Sequence, residues 1–314
     1  MRFVQVVPVL ATLGGVAAQR PKDTPICDYY TTALFKNNTA ENQYTLLTAL
    51  VNTVVIGNYT QPNVGVSVPG ILAKGTFDGT EVNLLPYFDG THKSTNRGGN
   101  QGVSVNFLDG GGAEPLKKNK PADDEKSHQY FLLTHLYQFF GSLLGCTEQG
   151  MPGFDSYTGA ASMFQVHRFM DLGPAELGYF VQQVALAASS FGVAEDDIKA
   201  VGTALNTLFG MRCAPPATAI KSQGNQLQAI CVDKSCPLAM DAMCSKYDNP
   251  DNGGGTGSSA SSMSMSMTVA PTGTTVALTS TAATATDSVS TGGAAATGLG
   301  LSGVAAFGFA ALLL

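Results

Sequence analysis

His167 is the side chain in this sequence whose surroundings most ask for chemistry. Its neighbours Met163, Phe164, Val166, Phe169 and Met170 are apolar. An imidazole on so apolar a turn needs a partner, and either a metal ion or a backbone carbonyl can serve. His135 lies at the edge of another apolar stripe, while His92 and His128 fall in polar segments and read as surface residues. The sequence holds no G-x-S-x-G elbow and no HExxH, and the run Asp109 to Gly112 is too short a signal for a phosphate loop. Hydrolase chemistry therefore has no motif to stand on.

The elements that would position His167 follow from spacing. After Gln129, apolar residues fall at Leu132, Leu133, Leu136, Phe139, Phe140 and Leu143, a helical stripe that Gly145 ends. Ser162 is placed to cap a short helix bearing His167, and Gly173-Pro174 closes it and opens the next. That next helix carries Leu177, Phe180, Val181, Val184, Ala188 and Phe191, with Gly192 as its stop. A last helix shows Ile198, Val201, Leu205 and Leu208 along one side.

The order LLG, a loop, then YTG-x3-M-x2-VH-x4-L-x4-L-x14-GV resembles truncated haemoglobins, group I most closely. The resemblance runs from about Cys27 to Cys213. It is strongest from Leu132 to Leu208, weaker from Cys27 to Tyr59, and missing between about residues 60 and 126. It implies an all-α, globin-like two-over-two helical fold with a large irregular, partly β insertion. It also implies haem b as cofactor, with His167 as the proximal iron ligand. Phe88, Phe139 and Phe140 would then pack near the macrocycle beside Val166, and Leu132, Leu136 and Val51 would line the distal side.

His135 has three open roles in this picture: sixth iron ligand, contact to a haem propionate, or solvent-facing residue. Phe88, in the LLPYFDG segment, either stacks near the porphyrin or packs in a core. The family's distal tyrosine falls near Leu50 and Val51, and its glutamine falls on Leu136. A polarised ligand there would lack a hydrogen bond worth roughly 1.5–3 kcal/mol. Oxygen storage is thus less expected than handling of nitric oxide, redox chemistry or binding of haem itself. The register of the second helix leaves Tyr44 and Tyr59 open as distal residues.

Residues 60–126 are rich in Gly, Pro and Asn, and the alternation in GVSVNFLDG suggests a strand and turn. A connection this long calls for a fold or a role of its own. Lys117, Lys118 and Lys120 are followed at once by Asp123, Asp124 and Glu125, which reads as a solvated loop.

The ends read as addresses. Residues 1–18 have Arg2, an apolar run and a Val16-Ala17-Ala18 cleavage signal, as a secretory signal peptide does. Residues 298–314 form an uncharged apolar tail after small residues at Ser290, Gly292, Gly293 and Ala294, the pattern of a GPI-anchor signal; a simple tail anchor is the other reading. Residues 249–297 are Ser/Thr/Gly-rich and cannot offset their ordering entropy, so a disordered, O-glycosylated stalk is expected there, with the MSMSM run as linker. Between them, residues 19–248 suit one domain with a Cys-rich extension at 213–248.

Export frames the six cysteines as disulfides. Cys27 opens the first helix and Cys213 follows the last, so a pairing of these two is one expectation. Asn37 and Asn58 stand in N-glycan acceptor triplets. The net charge of −6 gives no electrostatic footprint for nucleic acid. Two functions fit. One is a cell-surface haem protein whose partner is oxygen, nitric oxide or haem. The other is a haem-free globin-like scaffold with a structural or adhesive role against cell-wall glycans.

Overall fold

The computed structural model describes residues 19–60, 63–95 and 101–248. The expected signal peptide (1–18), stalk (249–297) and apolar tail (298–314) lie outside the described residues. The described residues are rich in helix, with two small sheets.

Helix α1 (Ile26–Phe35) ends at Lys36 in the left-handed region. Thr39 then caps α2 (Ala40–Ile56), its hydroxyl accepting from the Asn42 amide. Asn37 is exposed in the turn between them. Gly57 ends α2 with φ +84°, and Gly70, at the same φ, returns against it so closely that a Cβ on either would strike the other strand of backbone. The return satisfies the end of α2: the amides of Ile71 and Leu72 donate to the carbonyls of Val54 and Val55. Asn58 is half-buried there, its Oδ1 accepting from the Val68 amide.

The segment beyond α2 carries the strands. β1 (Gly75–Phe77) pairs with β2 (Thr80–Val82), and β3 (Asp89–Thr95) with β4 (Val103–Asn106), both antiparallel. A single 3-10 turn, Leu85–Tyr87, precedes β3, and the four-residue α3 (Ala113–Leu116) follows β4. This segment is anchored on a later helix: Tyr179 donates to the carbonyls of Gly70 and Ala73, and Gln183 accepts from the Gly70 amide. Lys117, Lys118 and Lys120 are exposed.

The remaining helices are α4 (His128–Leu143), α5 (Met163–His167), α6 (Pro174–Ser190), α7 (Glu195–Phe209) and the short α8 (Cys244–Asp248). Gly145 and Gly192 take positive φ after α4 and α6, as the stops required. Helix α2 packs on both α4 and α6, and α6 packs on α7. Leu47, Tyr137, Ala187 and Leu205 are fully buried in the core they share. Tyr137 donates to Asn52 Oδ1 at 2.6 Å across the α2–α4 contact.

One expectation is corrected. Cys27 pairs not with Cys213 but with Cys146, while Cys213 pairs with Cys244 and Cys231 with Cys236. The reason is the turn after α4. It comes back over the start of α1, where the Cys27 amide donates to the Leu144 carbonyl, so Cys146 arrives first. Three disulfides, with no free cysteine among the described residues, fit an oxidising, extracellular setting. Among the described residues no helix is long and apolar enough to cross a membrane.

Candidate functional site

His167 is the last residue of α5, a helix of one turn and a little more that could not persist alone. Two things hold it. Ser162 caps it as expected, its hydroxyl accepting from the Gln165 amide, and the same hydroxyl donates to the carbonyl of Leu227. The Cys-rich extension supplies the rest. Gln228, buried, accepts from the Met163 amide at 3.1 Å, and Leu227 accepts from the Phe164 amide. On the exit side, the amides of Val232 and Asp233 reach the Leu172 carbonyl. The helix therefore ends sooner than expected. It stops with Arg168 as its cap, and residues 168–173 form an irregular turn pinned by the extension, with Gly173-Pro174 only opening α6.

The His167 ring is half-buried. Its Nδ1 lies 2.8 Å from the Met163 carbonyl, one helical turn back. A carbonyl accepts only, so Nδ1 carries the proton and Nε2 presents its lone pair. No hydrogen bond to Nε2 occurs among the described residues. Burial pushes the ring's pKa below that of free imidazole, against an opposing pull from the Met163 carbonyl. The result is a neutral imidazole with one oriented lone pair, the form in which histidine binds a metal.

Helix α4 presents two stripes. Leu133, Tyr137 and Phe140, spaced by four and three, are buried. Leu132, His135, Leu136 and Phe139 form the second, and its first three members are only half-buried. On that stripe His135 and Phe139 meet the ring of Tyr157 edge-on at 6.1 and 5.5 Å, and Phe139 also approaches Phe209. Burial lowers the His135 pKa, so this ring too favours its neutral form.

The expected residues thus divide. Leu132, His135, Leu136 and Phe139 share one face of α4. Phe140 points about a quarter-turn away. There it lines a small apolar cavity of about 50 Å³ with Leu50 and residues of α1, α6 and α7. Val51 is buried in the core. Val166 and Phe88 are half-buried and packed against the core. Tyr59 is engaged with Asn119 at 2.6 Å, and Tyr44 packs its ring on Tyr137 and Phe154.

The strand-bearing segment between α2 and α4 reaches both helices that carry these histidines. β4 packs on α4, and β3 packs on α5 and on the 3-10 turn before it. Tyr87 of that turn donates to the Met170 carbonyl, just past His167, and Phe88 accepts from the Phe107 amide. His92 is exposed beside Tyr87, as expected. His128 is only half-exposed and has a task. Its ring and amide, with the amide of Gln129, all meet Asp109, which so satisfies the first two amides of α4 beside the Ser127 N-cap. Burial disfavours the Asp109 carboxylate, but the Gln129 amide and His128 outweigh it and hold the carboxyl below its usual range. Gln129 closes the loop by bonding both the amide and the carbonyl of Gly112. Asp109 to Gly112 is therefore a clamp on the start of α4.

Among the described residues no three His, Cys, Asp or Glu side chains gather as a metal site. Whatever metal chemistry these residues support needs one or two imidazoles and a group that brings its own remaining ligands. Comparison with family models, curated protein sequences and solved structures gives no match.

Proposed function

We propose that this chain is an exported, lipid-anchored cell-surface haem protein with a globin-like two-over-two helical domain, binding haem b through His167 Nε2. The observation that carries the reading is the Nδ1 hydrogen bond from His167 to Met163, which fixes the tautomer and leaves Nε2 as a ligand atom. The helix pairing supports it: α2 with α4, α6 with α7, joined through α2 on α6. Haem asks for one neutral imidazole and apolar side chains around it, and the oriented His167 ring supports the reading on the first count. Val166, Leu132, Leu136, Phe139 and Phe88 would be those side chains. His135, half-buried on α4 beside Tyr157, would be the second nitrogen available to the iron. When bound, haem supplies an iron centre able to take a small gas such as oxygen or nitric oxide. The chain's own contribution is to orient His167, keep it neutral and exclude water with that half-buried apolar stripe. Leu132 and Leu136 on the half-buried stripe of α4 offer no hydrogen-bond donor, which favours nitric oxide or haem itself as the partner over stored oxygen.

The test is spectroscopic. The full chain, secreted from an oxidising host, is titrated with haemin, and its visible spectrum is compared with that of His167→Ala. A sharp Soret band lost or shifted in the variant supports the reading. A free-haemin spectrum in both overturns it. The second reading, a haem-free scaffold with a structural or adhesive role at the cell wall, is favoured by one observation: Phe140 and Val51 are taken up by the protein's own packing.

A further inference from the structure

A second cleft, about 470 Å³, opens between the exit of α5 and the Cys-rich extension. That volume suits a small molecule. Arg168 enters it from the end of α5 and Arg212 from the segment after α7, and the Cys213–Cys244 disulfide forms part of its wall.

Arg212 is the informative residue. Its Nε is buried and has no hydrogen-bond partner among the described residues, and none of the ion pairs found there includes it. A buried donor left unused is costly, and a cationic one more so. Its backbone is fixed: the amide donates to Pro237, the carbonyl accepts from Ala239, and the next residue is held by a disulfide. Arg168 lies with its guanidinium 4.7 Å over the ring of Phe169, which orients its plane. Beside them Phe164 and Tyr247 meet edge-on at 4.6 Å. The Tyr247 hydroxyl is spent on the Ala214 carbonyl, so Tyr247 offers its ring alone. Asp171 and Asp248 also line the cleft, but both are exposed, and neither pairs with Arg212.

We propose that this cleft binds a small organic anion, its single carboxylate or phosphate head held by Arg212 and Arg168 and its apolar body lying against Phe164 and Tyr247. Guanidinium forks match two-oxygen heads and favour them over spherical anions. The exposed Asp171 and Asp248 repel a second negative group, which sets polyanions and an anionic membrane surface apart from the favoured ligand. The inference is independent of haem, and its test uses protein to which no haemin has been added.

Titration calorimetry on the full chain at fixed ionic strength compares phenyl phosphate, benzoate, inorganic phosphate and anionic lipid vesicles. Saturable one-site binding of phenyl phosphate or benzoate is expected, tighter than that of inorganic phosphate. Arg212→Gln should weaken it at least about tenfold and Arg212→Lys by less, because a lysine keeps charge but loses the fork. Lys221→Gln, an exposed change elsewhere, should leave it unaltered. Non-reducing peptide maps and circular dichroism establish that each variant is folded; if Arg212→Gln does not accumulate, Arg168→Gln carries the same comparison. Absence of saturable binding by both organic anions, equal affinity in a folded Arg212→Gln, or stronger binding to vesicles than to either organic anion overturns the proposal.

Discussion

The side chain of Gln228 takes the place of a helix cap for Met163: it accepts from the Met163 amide at 3.1 Å while its own amide donates to Ala161 at 3.0 Å. Two orphan groups at the start of the His167 helix are thereby satisfied by a residue from beyond α7. Gln228→Leu keeps the volume and removes both bonds. It should destabilise the fold by about 1–3 kcal/mol, the cost of leaving a buried donor unmet. Haemin affinity should fall by more than that loss of stability accounts for, because the helix that orients the imidazole loosens first. Urea unfolding alongside haemin titration separates the two effects. Unchanged haemin affinity in a destabilised Gln228→Leu would remove Gln228 from the site.

The histidines give stability a pH dependence of known sign. His167 and His135 both have pKa values lowered in the folded protein by burial. A lowered value means that the unfolded chain takes up protons first as pH falls, so the stabilising effect is complete above the ordinary imidazole value, about 6.5, and is lost as pH drops through the folded values. Unfolding midpoints measured from pH 8 to pH 5 should therefore fall on the acid side, and His167→Gln should flatten that slope. A midpoint that rises below pH 6.5 would contradict the assigned burial.

Cys27 and Cys146 are separated by 119 residues, so their bond closes the longest loop of the three. In the chain-entropy account it contributes on the order of 4–5 kcal/mol, against a smaller amount for Cys231–Cys236, separated by only 5. The double change Cys27→Ser with Cys146→Ser should lower the denaturant midpoint more than Cys231→Ser with Cys236→Ser. Non-reducing peptide mapping should recover Cys27 joined to Cys146, and a Cys27–Cys213 peptide would contradict the pairing.

Much of the helical frame was legible because its signals are local. The stripe from Leu132 to Leu143, the Ser162 cap, and the stops at Gly145 and Gly192 each rest on residues within a few positions of one another. The strand in GVSVNFLDG emerged for the same reason. What escaped was non-local. Cys146 meets Cys27 only because the chain doubles back after α4, and no spacing encodes that. Gln228 and the carbonyl of Leu227 hold the His167 helix from an irregular segment without periodicity. His128, expected as a plain surface residue, turned out to share Asp109 with the start of α4. On α4 itself the apolar residues were visible, but spacing alone did not assign Phe139 and Phe140 to different faces, with Phe140 turned toward the α1, α6 and α7 side.

The grip of Gln228 on Met163 also imposes an order in time. The clamping residue follows the helix it secures by 65 positions. A nascent chain therefore exposes the imidazole well before the segment that aims it has emerged. Settling of that helix must wait until synthesis has passed that point, so a product released early would hold His167 with only the Ser162 cap and the Met163 bond behind it.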